Sequence, residues 1–554
     1  DFGPNCITCV LSLPSRQACT QRVVENMCIS FVKLKVSLVL LAFASVDSRP
    51  QPVLYEISTR PWLYSLAQSG VPAHCGEYVC LRDVPKSEWQ KLADDKIDMV
   101  WLMGVWQLGT YGPELDKTNI NNFRNELPDV QPDDIIGSPY AVKNYTVNSD
   151  IGTPADLAQV RGTLKELGMK LMLDFVPNHG AVDSDFAPDV FISRPSSGSF
   201  PANWWKQRGS NTLAYGRGPY DGPWTDTLQY NYWNQKTVSA MTEVLISIAS
   251  QADAIRCDMA MLILNDVIQR TWQGVMQANG FGRPSSEFWA SAIDAVRKQY
   301  PETIFMAEAY DYDFTNPPEK QLLQNLGFDF VYDKTVLDDL VSNNLDKIRG
   351  YIGSQSQSFF ERTAHFVENH DEQRSAKALG GQQQAFAGAV VAATIPGLRL
   401  FYFGQFDGFS AKLDVQLRRA TTQPSNEMIR KQYSALLHVL AHDVFHSGAW
   451  TFIQTSKEGS SWRLAAWRWR SLDGAVKRVV VVNFSGEKGW ANIRLDDVEG
   501  SGTISMTELL TGIVYDRNVN ELKSNGLVCG LDPWTAQIFS YDRPQKTSEH
   551  RVVV

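Results

Sequence analysis

Ala254-Ile255-Arg256-Cys257-Asp258 reads as a buried apolar strand that ends by sending an arginine and, two residues on, a carboxylate to the same side of the backbone. An Arg and an Asp at that spacing can share one cleft, where the cation keeps the carboxylate ionised and usable as a nucleophile. Three other stretches end in matching chemistry: Leu173-Asp174-Phe175-Val176-Pro177-Asn178-His179, Met306-Ala307-Glu308-Ala309 and Phe366-Val367-Glu368-Asn369-His370-Asp371. From Val53 onward, short apolar runs alternate with amphipathic segments, the pattern of a βα repeat with a parallel sheet. Strands are expected at Val53 to Ser58, Met99 to Met103, Lys170 to Phe175, Ala254 to Asp258, Thr303 to Ala307, Asp329 to Tyr332, Ala364 to Val367 and Arg399 to Phe403. Eight of them predict an α/β fold, a closed (β/α)8 TIM barrel with its active site at the carboxyl ends of the strands. All four motifs fall there.

The chain of 554 residues is too long for one ordinary core and should hold two or three domains. With 44% hydrophobic and 20% charged residues it has a globular composition, and a net charge of -9 argues against a nucleic-acid footprint. Residues 1–50 read as a poorly ordered leader. Within it, Met27 precedes Lys33, Lys35, an apolar run from Val36 to Ala44 and the small-x-small pattern Ala42-Phe43-Ala44, as in a signal peptide. Export through that signal is one expectation and a cytoplasmic protein with an unfolded leader is the other. The run is far too short to span a membrane. Four of the eight cysteines, Cys6, Cys9, Cys19 and Cys28, lie in the leader, and Cys6-x-x-Cys9 lacks the second pair a zinc site requires. Cys75 and Cys80 are close enough to pair in an oxidising compartment, whereas Cys257 should point into the packing.

Two connections exceed simple loops: Trp106 to Gly152, rich in Pro, Gly and Asn, and His179 to Asn234, which carries Trp204, Trp205, Tyr215, Tyr220, Trp224, Tyr230, Tyr232 and Trp233. These rings offer sugar platforms, although packing is the commoner role for any one of them. Past Ser447 the pattern changes to short strands with turns, at Trp462 to Trp469, Arg478 to Phe484, Ala491 to Leu495 and Thr535 to Tyr541. The domains are therefore a barrel over 51–446 with an insertion at about 179–234, a C-terminal antiparallel β-sandwich over 447–543, and a frayed tail at 544–554. His438, His442 and His446 are spaced for one helix face; three such histidines can bind a metal, but a packed or solvated face is the simpler reading.

The order and spacing of the four motifs resemble the segments shared by the alpha-amylase family of glycoside hydrolases, family 13, over about residues 52 to 540. Cleaving a glycosidic bond with retention needs one carboxylate to attack the anomeric carbon and another to protonate the leaving oxygen, about 5 to 5.5 Å apart. The resemblance implies Asp258 as nucleophile, Glu308 as general acid and base, and Asp371 as the anion that stabilises developing positive charge. Arg256 should keep Asp258 ionised, while Met306, Ala307 and Ala309 give Glu308 an apolar setting that raises its pKa.

The resemblance also implies that His179 and His370 hydrogen-bond the sugar, that Asp174 fixes Arg256, and that Tyr140 stacks on the substrate. The His-Gly that often precedes that tyrosine is here Ser138-Pro139, which leaves sugar preference open. The insertion after the third strand matches the family's small extra domain. Asn178 matches a position from which many members donate a calcium ligand, which implies a structural calcium whose other ligands the insertion does not reveal. The chemistry itself requires no cofactor.

Trp101-Leu102-Met103-Gly104-Val105-Trp106, Glu368 to Glu372 with Arg374, and Phe401-Tyr402-Phe403-Gly404-Gln405 look like a less studied branch. Three functions follow. A retaining hydrolase of alpha-glucosidic bonds is favoured. A glycosyltransferase, phosphorylase or isomerase acting on sucrose, trehalose or maltooligosaccharides shares the intermediate but not the acceptor. A non-catalytic sugar- or protein-binding barrel would have lost at least one catalytic carboxylate, and all three are present. The oligomeric state is not legible.

Overall fold

The computed structural model describes residues 51–455 and 459–542. The leader, with its signal-like run, Cys6 and Cys9, and the predicted tail lie outside the described residues. Eight parallel strands close into a barrel: β1 (Val53–Ser58), β2 (Met99–Met103), β3 (Lys170–Phe175), β4 (Ala254–Cys257), β5 (Ile304–Ala307), β6 (Phe330–Tyr332), β7 (Thr363–His365) and β8 (Leu398–Tyr402), with β8 pairing back onto β1. The sequence places all eight to within two residues at either end.

Alternation along the strands builds the site. Met172, Ala254, Ile304 and Met306 face inward and fill the lumen with Trp101 and Phe330, whereas Ile255, Cys257, Phe305 and Ala307 face outward onto the helical shell. Two residues further on, the inward positions of β3 and β4 are Asp174 and Arg256, paired level in register. Arg256 is likewise level with Met306 of β5, so continuing that register sets Asp258 level with Glu308. The charged cluster is therefore the top layer of an otherwise apolar barrel.

The insertion is a small β domain. Its first strand, His179–Ala181, pairs with Thr227–Gln229, and Trp205–Arg208 forms a hairpin with Asn211–Ala214. Trp205, Tyr230, Tyr232 and Trp233 are buried, so four of its aromatics are core; Tyr220 is 72% exposed. The Asn234 side chain then caps the helix Gln235–Gln251 by accepting from Lys236 N. In the connection after β2, Trp106–Leu108 pairs with Val142–Val147; between β1 and β2, Cys75 and Cys80 form a disulfide.

The C-terminal region contains twice the expected strands: β9 (Ala449–Ile453), β10 (Leu464–Arg470), β11 (Lys477–Asn483), β12 (Gly489–Ile493), β13 (Thr503–Glu508), β14 (Val514–Asn518), β15 (Leu527–Leu531) and β16 (Thr535–Ser540). Six form one antiparallel sheet in the order β9-β10-β11-β16-β13-β14, and β12 pairs with β15. Ala466, Val479 and Val481 of the larger sheet share a core with Ile493, Leu527 and Cys529 of the smaller one, which makes a sandwich. A short helix, Val519–Asn525, also occurs where no helical periodicity is visible. The helix Gln382–Thr394 is buried on every side from Ala385 to Thr394. It lies between barrel and sandwich, and the indole N–H groups of Trp467 and Trp469 both donate to the carbonyl of Thr394, at 3.1 and 2.7 Å.

Candidate active site

Arg256 is the centre of the top layer and is fully buried. Its Nη1 donates to Asp258 Oδ1 at 2.8 Å and lies 3.5 Å from Asp174 Oδ1, while Nη2 donates to Glu308 Oε2 at 2.6 Å. One planar guanidinium thus bridges the two expected catalytic carboxylates, a geometry that lysine cannot supply. Asp174 is itself fixed by the Gly104 N–H at 3.0 Å. Gly104 has φ +75, and a Cβ there would lie 2.5 Å from Pro139 Cβ, so only glycine lets that amide approach.

The backbone after β4 also serves Glu308. Met259 is left-handed at φ 41, a strained conformation for a side-chain-bearing residue. That turn ends β4 one residue earlier than the sequence suggests and aims the Met259 N–H at Glu308 Oε2, 2.8 Å away. Tyr310 Oη donates to the other oxygen at 3.2 Å.

Two electrostatic expectations are corrected. Glu308 is not in an apolar setting, since Arg256, Met259 and Tyr310 all donate to it; the flanking Met306, Ala307 and Ala309 pack into the cores. Arg256 pairs with Asp258 but does not keep it an ordinary carboxylate. Burial, helped by the like charges of Glu308, Asp371 and Asp174, pushes the Asp258 carboxyl up to about 8 against the opposing guanidinium.

Asp371 stands at the rim with its side chain 46% exposed. The Asn369 side chain accepts from the amides of both Asp371 and Glu372 at 2.9 Å and so shapes the turn. Glu368, buried, bonds Arg374 at 2.8 Å and the Ser375 amide at 2.7 Å, a structural clasp beneath the motif. His370 Nε2 lies 3.1 Å from Asp371 Oδ2 and 2.8 Å from Tyr140 Oη, with the Tyr140 ring stacked on the imidazole at 5.3 Å. Ser138 and Pro139 place that tyrosine: Ser138 Oγ accepts from the Tyr140 amide at 3.2 Å, and Pro139 packs on Gly104.

On its far side, His370 Nδ1 is bonded to Glu56 Oε1 on β1. Sequence reading missed Glu56; the available signal was a carboxylate at an inward position of an otherwise apolar strand. Burial opposes the charged imidazole, yet Asp371 and Glu56 together raise His370 well above its usual value. Asp371 is drawn down to about 2 although desolvation works the other way, because His370, Arg256 and Lys412 surround it with positive charge.

His179 does not join this network. It packs against Trp224 at 5.1 Å, and burial lowers it to about 3, so it is a neutral imidazole. Asn178 is engaged by Gln229, whose Nε2 donates to its Oδ1 at 2.8 Å and to its carbonyl at 2.9 Å. Both oxygens through which Asn178 could bind a calcium ion are thus already hydrogen-bonded to the Gln229 amide. His438, His442 and His446 do not share a helix face: the helix Glu427–Leu440 ends before His442. Among the described residues no group of three or more His, Cys, Asp or Glu could hold a metal, and no helix is long and apolar enough to cross a membrane.

The buried Arg256 thus joins strand-end carboxylates on adjacent barrel strands. The sequence profile of the alpha-amylase catalytic domain matches residues 129–438, more than half of the chain. The chain belongs to the alpha-amylase family. Among curated proteins, this family member is 25% identical over 342 residues to the alpha-1,4-glucan:maltose-1-phosphate maltosyltransferase of Arcanobacterium haemolyticum, which covers 56% of the chain and 41% of that protein. It is 24% identical over 280 residues to the alpha-amylase MalA of Haloarcula japonica, covering 49% and 36%. The chain thus spans about two fifths or less of the length of these relatives. Among solved structures, the noncanonic maltogenic alpha-amylase AmyB of Thermotoga neapolitana aligns with a TM-score of 0.63 at 19% identity, over 90% of this chain and all of that one. An alpha-amylase from Lactobacillus plantarum aligns with a TM-score of 0.62 at 19% identity, over 89% and 99%. These likenesses extend the shared fold through the sandwich.

Proposed function

We propose that this alpha-amylase family enzyme is a retaining glycoside hydrolase that cleaves alpha-glucosidic bonds of glucans or oligosaccharides through a covalent glycosyl-enzyme. The observation that carries the reading is the single guanidinium bonded to both Asp258 and Glu308, which holds the two carboxylates beside each other, as retaining chemistry, with its carboxyls about 5 to 5.5 Å apart, requires. Asp258 attacks the anomeric carbon as the bond to the leaving oxygen breaks. Glu308, as the acid, gives that oxygen its proton. Asp371, kept ionised by His370, faces the developing positive charge. Water then enters as Glu308 takes back a proton, and the glycosyl–Asp258 bond breaks. His370 and Tyr140, locked together, line the floor under the sugar. Buried polar groups held in advance need no reorganisation during the reaction.

A second reading, transfer of the glycosyl unit to sugar or phosphate, is supported by the maltosyltransferase names among the curated relatives. It shares every step up to the intermediate. Time-resolved NMR of the full chain with maltoheptaose, starch, sucrose and trehalose, with and without phosphate, separates the two. Alpha-anomeric reducing products that carry oxygen from labelled water, absent from Asp258→Asn and Glu308→Gln, would support hydrolysis. Products without label would move the assignment to transfer. A folded chain that turns over none of the four would overturn the glucan reading.

A further inference from the structure

The two oxygens of Glu308 are not equivalent. Oε2 accepts from Arg256 Nη2 at 2.6 Å and from the Met259 amide at 2.8 Å. A carboxylate oxygen offers two lone-pair directions, and on Oε2 both are taken, by a guanidinium and a backbone amide that keep their hydrogens at every working pH. The acid proton of Glu308 therefore belongs on Oε1. There the Tyr310 hydroxyl donates at 3.2 Å. It fills one direction of Oε1 and leaves the other for the proton.

Tyr310 is set in place by its neighbours. It follows Glu308 by two residues, the spacing that sends two side chains to the same side of an extended backbone. The Glu308 carbonyl accepts from the Ala260 amide at 2.8 Å, and the Asp311 side chain accepts from the Lys320 amide at 3.0 Å. Beyond them, the buried Glu319 accepts from the Tyr312 amide at 3.0 Å. The chain is thus pinned on both sides of the tyrosine. Burial, and after it the like charges of Glu308 and Asp371, raise the hydroxyl well above the usual phenol value. It stays a neutral donor and is no base that could take the acid proton away.

As the glycosidic bond breaks, its electron pair goes to the leaving oxygen, which takes the proton from Oε1, while the pair of that O–H bond stays on Glu308. Negative charge thus develops on Oε1, beside the Tyr310 hydroxyl. A hydrogen bond to a carboxylate is stronger than one to a neutral acid. The bond from Tyr310 therefore tightens as the transition state is approached, which is the condition for a group to accelerate the chemical step.

Resting on the glucan reading, we propose that Tyr310 is a positioning residue for acid catalysis: its hydroxyl confines the Glu308 proton to the free direction of Oε1 and stabilises the carboxylate left behind. The full chain is compared with its Tyr310→Phe variant on phenyl alpha-maltosides that differ only in ring substituents. A dinitrophenolate leaves without a proton, whereas a methoxyphenolate needs one. The quantity compared is kcat/KM, which reports bond cleavage and not the later entry of water. In Tyr310→Phe it is expected to fall about tenfold or more for the methoxyphenyl maltoside, the effect of losing a hydrogen bond to a charged group. The fall for the dinitrophenyl maltoside should be smaller by a factor of at least about five. Glu308→Gln, which lacks the acid, should show the same split more strongly. A lost sugar contact or a disturbed fold lowers both substrates alike, and unfolding midpoints check the fold separately. A split below about fivefold, whatever the overall loss, would overturn the proposal and leave the glucan reading standing. A parent that cleaves none of the set would refute the glucan reading, and the assignment with it.

Discussion

His370 and Glu56, 314 residues apart in sequence, are bonded to each other in the floor of the barrel with both side chains fully buried. The carboxylate on β1 is one reason the imidazole stays charged, and that charge in turn keeps Asp371 ionised. Glu56→Gln preserves shape and a hydrogen-bonding oxygen but removes the anion. Activity is expected to fall on the order of tenfold, as for loss of a positioned charge. The pH at which the imidazolium is lost should also drop. The sign is fixed by linkage. A histidine raised above its unfolded value contributes stability that is complete below about pH 6.5 and is lost as pH rises through the folded value. Unfolding midpoints from pH 5 to 10 should therefore decline at lower pH in the variant than in the parent. Superimposable curves would show that Glu56 does not support the charge.

The raised Asp258 carboxyl sets an acid limit. Only its ionised form attacks, so with Asp258 raised to about 8, kcat/KM should climb with pH up to about that value. Because the responsible group is that of the free enzyme, the limb belongs in kcat/KM. A profile flat from pH 5 to 9 would contradict the raised carboxyl.

Arg256→Lys tests the fork. Lysine retains the positive charge but cannot bond two carboxylates in one plane. A loss of at least about a thousandfold in kcat is expected, since the spacing of nucleophile and acid depends on both bonds. Circular dichroism and thermal unfolding distinguish this from a lost fold. Activity within tenfold of the parent would mean that charge alone suffices.

The barrel was legible because its strands are short apolar runs bounded by polar turns, and because the carboxylates sit where those runs end. The site was legible only where residues adjoin in sequence. Glu56 was not, as its partner His370 lies in the loop beyond β7 and a single carboxylate in Val53-Leu54-Tyr55-Glu56 does not name that partner. The rise of Asp258 was not legible for a related reason: sequence set Arg256 beside Asp258 and Asp174 but did not show Glu308 sharing the same buried cation. In the sandwich, β13 and β14 were missed because they are polar and half-exposed, and β9 and β15 because each is only five residues long.

The sandwich should be indispensable to the barrel. The helix Gln382–Thr394 has no polar face, and its Thr394 carbonyl receives the indoles of Trp467 and Trp469. A chain ending at residue 446 would expose that apolar surface and is expected to aggregate. Soluble, monomeric, active protein from such a truncation, judged by size-exclusion chromatography, would show the two regions to be independent.

The Gln229 amide stands at the mouth of β3. Gln229 Nε2 gives its hydrogens to two oxygens of Asn178, and its Oε1 accepts from the Arg217 amide at 3.2 Å. An uncharged –NH2 thus does there what a cation would do, which is to hold converging oxygens together. We propose that the junction between barrel and insertion needs no calcium for stability, so chelation should leave the unfolding midpoint of the parent unchanged. Gln229→Glu replaces the donor with a carboxylate facing two acceptors and should cost about 1 to 3 kcal/mol, the penalty for buried groups left unpaired. The same substitution completes an oxygen-only cluster, so added calcium should recover much of that loss in the variant and none in the parent. A chelator that lowers the midpoint of the parent would overturn this account.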